Sequence, residues 1–418
     1  MAQKDIELLA PVGSFEALSA SINSGANSVY FGVGSLNMRS KSSFNFNLND
    51  IRKVSSICKK NNIKCYLALN SVMYDQDKTL VKKIIKKSLD NNIDALIVSD
   101  PSILNYTQNL PIDIHLSTQL NISNLEGVKF WSKYANIMVL ARELSLKQIK
   151  YITNQIDKQN ILGKSDKKIR IEVFIHGALC MSISGKCFLS THLHNTSANR
   201  GECFQICRKP FNIIDDQGLE LTLDNPYILS PKDLCTLPII KEILNSNVSV
   251  LKIEGRGRSP EYVSNVVRAY RKAIDLCTVN KLSTSTINEL MLDLQDVYNR
   301  GFWTGHYLGE NNSSWNTNVG GSKSNSYKVY VGRIVKYFKK AQVAEFIIEA
   351  GKLAEGDDIL IIGPTTGAEK IITNEIYLNE NKVEIAEKGS GFTFKVPFIV
   401  RPSDKIYKIN KRVSSSNQ

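Results

Sequence analysis

Four cysteines crowd into one short stretch of this chain. Cys180, Cys187, Cys203 and Cys207 are spaced C-x6-C-x15-C-x3-C, and they are four of the eight cysteines in 418 residues. A secreted disulfide scaffold is shorter and denser in cysteine. Clustered thiols in a longer chain point instead to metal binding or catalysis. Thiolates are soft ligands that select zinc or iron–sulfur clusters. Structural zinc sites show closely spaced cysteine pairs, and only Cys203 and Cys207 are spaced that way. The wide gap between Cys180 and Cys187 therefore favours a cluster, with zinc as the rival. His192 and His194 lie in the same loop and could replace a thiolate. Cys235 follows the loop and is a further candidate ligand. Cys58, Cys65 and Cys277 fall on apolar helices or strands and read as small core hydrophobes.

The segments that would position these thiols alternate regularly. Eight apolar runs are expected as strands: Glu7–Pro11, Ser28–Gly32, Lys64–Asn70, Ala95–Asp100, Asp113–Gln119, Ile137–Glu143, Ile171–Gly177 and Val250–Gly255. Helical patterns separate them, the fourth connection being short. Continuous apolar runs alternating with helices imply a parallel sheet buried on both faces. Eight such units close into a (β/α)8 TIM-like barrel more readily than they form an open sheet. The thiol loop, residues 178–210, directly follows the seventh strand.

Barrel enzymes carry their chemistry at the C-terminal ends of the strands. Asn70, Gln119, Arg142, Glu143, His176, Glu254 and Arg256 collect there, and Asp100 before Pro101 reads as a helix cap. His176 is an acid/base candidate because an imidazole titrates near neutrality. Lys252, Glu254 and Arg256 end the eighth strand, where barrels commonly bind anions. Glu254 and Arg256 could equally pair with each other to fix the turn. Arg39, after the second strand, could meet a carboxylate, as could Arg142.

Residues 1–310 thus read as the barrel, 311–326 as a polar linker, and 327–418 as a small all-β barrel of short strands. The net charge is +13, which favours a polyanion such as nucleic acid. A Lys- and Asn-rich composition bias would give the same number. Tyr337, Phe338, Lys339 and Lys340 mix aromatic and basic side chains in a way that suits RNA or a hairpin tip. No long apolar run predicts a membrane span, and no leader is visible, so a cytoplasmic location is expected. Serine- and zinc-protease signatures are absent from the sequence.

Several motifs resemble the collagenase-like peptidase family U32. They are Glu7–Ser14, Gly25–Gly32, Leu116–Gln119, Leu140–Ser145, Val173–Cys180 with Ser184–Cys187, Ser230–Leu234, Leu251–Arg256 and Asn299–Phe302. Within that family the resemblance is to its tRNA-hydroxylating members. It implies 5-hydroxyuridine formation at the wobble position of tRNA, without molecular oxygen and with prephenate as oxygen source. It implies a [4Fe-4S] cluster on Cys180, Cys187, Cys203 and Cys207, and a tail similar to a translation-factor second domain. On this reading Arg39, Arg142, Arg256 and Lys252 bind substrate carboxylates, with His176, Glu254 and Gln119 as catalytic candidates. Related members act on ribosomal RNA or a quinone precursor, and some work as pairs, so a homologous partner subunit is compatible with the resemblance. Two further functions fit the residues: a peptidase, as the family label says, and a non-catalytic zinc-stabilised RNA-binding module.

Overall fold

The computed structural model describes residues 6–41, 45–309 and 316–412. Eight parallel strands form a closed barrel: β1 Glu7–Pro11, β2 Ser28–Gly32, β3 Lys64–Leu69, β4 Ala95–Val98, β5 Asp113–Leu116, β6 Ile137–Val139, β7 Arg170–Gly177 and, after the thiol loop, β8 Val250–Ile253. Each pairs with its sequence neighbour, and β8 pairs with both β1 and β7 to close the ring. The strands lie where the apolar runs predict them. Several stop short of the predicted ends, where side chains turn from ladder to site.

Burial on both faces explains the continuous apolar runs. Leu9, Tyr30, Tyr66, Ile97, Ile137 and Val250 fill the interior of the barrel. The opposite faces pack under amphipathic helices; Ile51, Val54 and Cys58, at helical spacing, are the buried stripe of helix Asp50–Lys60. Local chemistry fixes helix starts. Ser14, Asn124, Ser145 and Ser283 cap four helices, and Asp100 accepts from Ser102 N ahead of Pro101, as its position predicts.

Two short strands of the barrel sheet escape sequence reading. Asp233–Cys235 runs antiparallel to the end of β7, and Phe302–Trp303 adds to it in parallel. At three and two residues they are too short for periodicity to register. The pair explains two of the sequence motifs together, since Arg300 Nη1 bonds Asp233 at 3.2 Å and both side chains are buried.

The C-terminal unit is an eight-stranded antiparallel sheet around its own core of Val331, Ile334, Phe346, Ile361, Phe394 and Ile406. Its interior strand Lys405–Lys411 is absent from the sequence expectation. The linker prediction falls partly on residues 311–315, outside the described residues. Beyond them, Asn316 bridges Pro231 and Thr317 N donates to Ser230 O at 2.8 Å, so this part of the connection runs pinned to the barrel. The predicted fraying of residues 413–418 also lies outside the described residues.

The two units touch closely. Ala20 on the first helix packs with Leu360, Ile362 and Ala368, while Ser19 Oγ donates to Pro364 O at 2.6 Å. Gly367 has φ +79°, and a Cβ there would lie 2.7 Å from Ala20 N. Gly367→Ala should therefore cost about 1–3 kcal/mol through backbone strain and the clash with the helix. Thermal denaturation checks this; an unchanged midpoint would mean that the contact adds nothing to stability.

Candidate active site at the barrel mouth

Glu254 organises the chamber at the C-terminal end of the barrel. Its Oε1 accepts from Arg39 Nε at 3.1 Å and Arg39 Nη2 at 3.0 Å, and its Oε2 accepts from Tyr30 Oη at 3.1 Å. Burial alone would raise its pKa, but Arg39 and Arg256 outweigh burial and hold the carboxyl below its usual range. It is a buried carboxylate bracketed by cations. Arg256 packs against Gly32, where a Cβ would fall 2.2 Å from Nη1; that nitrogen is buried without a hydrogen-bond partner.

One layer below, Lys252 Nζ donates to Glu172 at 2.7 Å, and His115 Nδ1 lies 3.3 Å from the other carboxylate oxygen. Burial opposes ionisation of Glu172, yet Lys252 and His115 win and draw its pKa down to about 2. Asn70 Nδ2 donates to Ser117 Oγ and Gln119 Oε1, both at 3.2 Å, so the Gln119 amide is held in place. Arg142 lies over the Phe174 ring at 5.8 Å. Arg39, Gln119, Arg142, Lys252, Glu254 and Arg256 all line one chamber, and Cys180, Cys187, Cys203 and Cys207 line it too.

The exception among the sequence candidates is His176. A β-bulge sets Phe174 and His176 opposite the consecutive residues Lys252 and Ile253, which breaks the strand alternation. His176 consequently packs among Tyr262, Tyr270 and Phe302, outside the chamber. Burial, helped by the charge of Arg258, lowers its pKa to about 3. The acid/base role expected of it is corrected to a core role. Cys235 is buried behind it, beside Tyr270 and Met291, and away from the chamber. His192 and His194 are exposed on the short helix Leu189–His194 and do not line the chamber.

Arginines that sequence reading passed over anchor the thiol loop. Arg200 bonds Asp77 at 2.7 Å and lies over the Tyr74 ring at 4.3 Å. Arg208 donates to Leu179 O at 2.6 Å, Ser230 Oγ at 3.0 Å and Pro231 O. Arg300 reaches Gln205 at 3.4 Å. Gly201, at φ +90°, lies so close to Asn37 O that a Cβ would come within 2.2 Å. The available signal was the pair of arginines bracketing Cys203 and Cys207 in Asn199–Arg208.

The four cysteines line one chamber, and burial pushes the Cys207 thiol up. Cys180 is exposed and the other three are half-buried. Cys187 Sγ also accepts from Leu189 N at 3.5 Å. Among the described residues, no three His, Cys, Asp or Glu side chains converge on a point suited to one metal ion. Four cysteines lining one chamber are soft donors of the kind that zinc and iron–sulfur clusters take. No histidine lines the chamber among the described residues, so its serines and cysteines have no imidazole base there.

This is a TIM-like barrel protein with a cysteine-lined, cation-rich mouth. The model for Peptidase family U32 matches residues 13–317, and the chain belongs to that family. It is 46% identical over 409 residues to a Porphyromonas gingivalis protein named collagenase, covering 98% of this chain and 99% of that one. It is 30% identical to a tRNA hydroxylation protein of Bacillus subtilis, covering 86% of this chain and 84% of that one. It is 34% identical to a 23S rRNA 5-hydroxycytidine synthase of Escherichia coli, over 65% of this chain and 39% of that protein. No helix among the described residues is long and apolar enough to cross a membrane.

Both buried charge systems can be tested by substitution. Lys252→Met leaves Glu172 buried without its main counter-ion, and should cost roughly 3–5 kcal/mol in denaturant unfolding; a loss within error would mean that Glu172 protonates freely. For His176, the folded pKa lies below the ordinary 6.5. The unfolded chain then binds the extra proton first, so stability falls as pH drops from about 6.5 towards 3. His176→Phe should flatten that part of the stability–pH curve without introducing or removing a neutral pKa in the activity profile. Loss of a neutral activity pKa in the variant would restore the catalytic reading.

Proposed function

We propose that this protein is an RNA-modifying enzyme that hydroxylates the wobble uridine of tRNA to 5-hydroxyuridine. The observation that carries the reading is that four thiols and a set of fixed cations line the same chamber. A serine or cysteine peptidase usually sets its nucleophile beside an imidazole base, and no histidine lines the chamber among the described residues. The named functions of the tRNA- and rRNA-modifying relatives support the same class of substrate. The net charge of +13 suits a polyanion.

Cys180, Cys187, Cys203 and Cys207 would hold a [4Fe-4S] cluster, which when bound supplies one-electron redox chemistry at the roof of the chamber. The chain's own residues do the remaining work. Arg142 and Arg256 offer positive charge to a dicarboxylate co-substrate, for which we propose prephenate as the oxygen source, while Lys252, neutralised by Glu172, forms the floor beneath it. Arg39, oriented by Glu254, closes that set. Gln119, its amide fixed by Asn70, is placed to hydrogen-bond a uracil edge or the co-substrate. Stacked and apolar walls from Tyr30, Phe174 and Ile97 keep bulk water from the reacting groups.

Protein purified without oxygen should contain about four iron and four acid-labile sulfide per chain. Cys203→Ala should lose most of both while keeping its circular dichroism. Stoichiometric zinc without sulfide would move the assignment to a zinc-stabilised RNA-binding module.

A further inference from the structure

A second pocket adjoins the chamber and shares Cys180, Cys203 and Cys207 with it. The loop after β8 forms one wall with Gly255, Gly257 and Arg258, and Arg208 forms another. This is the barrel position at which anions commonly bind.

Its two outer guanidinium groups, Arg208 and Arg258, have no carboxylate ion pair of their own among the described residues. The one carboxylate in the lining is Glu254, already held by Arg39 and Tyr30. Arg208 spends its hydrogen bonds on two carbonyls and a hydroxyl, all neutral. Arg258 is half-buried and lies over the Tyr298 ring at 3.7 Å and the Tyr262 ring at 5.8 Å. Among the described residues neither Arg208 nor Arg258 has a carboxylate within ion-pair distance. Partly buried guanidinium groups are costly without a counter-charge. Here the aromatic face fixes the fork of Arg258 while leaving its donors for a ligand.

We propose that this pocket binds a backbone phosphate of the RNA, through Arg258 and the charge of Arg208. The inference rests on the RNA-hydroxylation reading and adds the subsite that seats the strand. The recess adjoins the chamber across Cys180, Cys203 and Cys207, so a nucleotide whose base enters the chamber can seat its neighbouring phosphodiester there. Gln205 lines it, and both Gln205 and its neighbour Phe204 are exposed. A phosphate contact of this kind positions the strand without reading sequence.

The test is binding of an anticodon stem–loop RNA to the anaerobically purified protein across a salt series. Arg258→Ala should bind at least severalfold more weakly, and the slope of log K against log salt should fall by about 0.7, the release expected for one phosphate on a single strand. Arg258→Lys should recover most of the slope but not all of the affinity. Arg52→Ala, on an exposed face of the second helix, should match wild type in both. A neutral methylphosphonate beside the target uridine should weaken wild type and leave Arg258→Ala unaffected. Wild-type affinity and slope in Arg258→Ala would overturn the proposal. Inorganic phosphate that binds through Arg258 while RNA affinity is indifferent to the substitution would also overturn it, leaving a site for a free anion. A wild-type protein that binds no RNA would instead fail the functional reading on which the proposal rests.

Discussion

The buried carboxylate of Glu254 is the constraint on which the barrel mouth depends. It directly follows β8, the strand that closes the ring, and it holds Arg39 and Tyr30 from the second strand and its loop. That loop in turn supports the thiol loop. Lys41 N donates to Gly201 O at 3.3 Å, and Ser40 Oγ donates to Arg200 O at 3.2 Å. The sulfurs are therefore placed partly by contacts that run from this ion pair and partly by the loop's own arginine anchors. Removing Glu254 would leave Arg39 and Arg256 facing each other in a buried space. Such a site is held together by satisfying charge as much as by packing.

Two layers of charge lie beneath the thiols and serve different ends. The lower layer, Glu172 with Lys252 and His115, is internally neutralised and forms the floor. The upper layer has more cations than carboxylates, so it retains positive charge for a ligand. Arg142 and Arg256 supply that excess, and neither has an ion-pair partner of its own among the described residues. Arrangement by layers explains how a barrel whose interior is largely apolar can carry a polar mouth. The bottom is sealed in the same manner, by Glu7 with Arg170, Ser28 and Tyr66.

Much of this was legible in the residues. The eight barrel strands announce themselves because both faces are buried, and the polar residue that ends each run marks the functional end. The thiol quartet was legible because soft ligands rarely cluster without cause. His176 was misleading for a definite reason: strand alternation points it inward, but a one-residue bulge in β7 turns it out. A bulge is a tertiary adjustment with no local sequence mark at Phe174–Ile175–His176. The arginine anchors of the thiol loop were missed because their partners, Asp77, Leu179 and Pro231, are remote or are backbone carbonyls. Strand Lys405–Lys411 was missed because its lysines mask the alternation, although Ile406 is fully buried.

The most direct test of the central claim is nucleoside analysis of tRNA from a strain lacking this gene, complemented with wild type or with Cys180→Ala. If the thiol-roofed chamber hydroxylates tRNA, 5-hydroxyuridine and its derivatives disappear on deletion, return with wild type, and stay absent with the cysteine variant. Undiminished 5-hydroxyuridine in the deletion strain, with no homologous chain left to supply it, would contradict that claim.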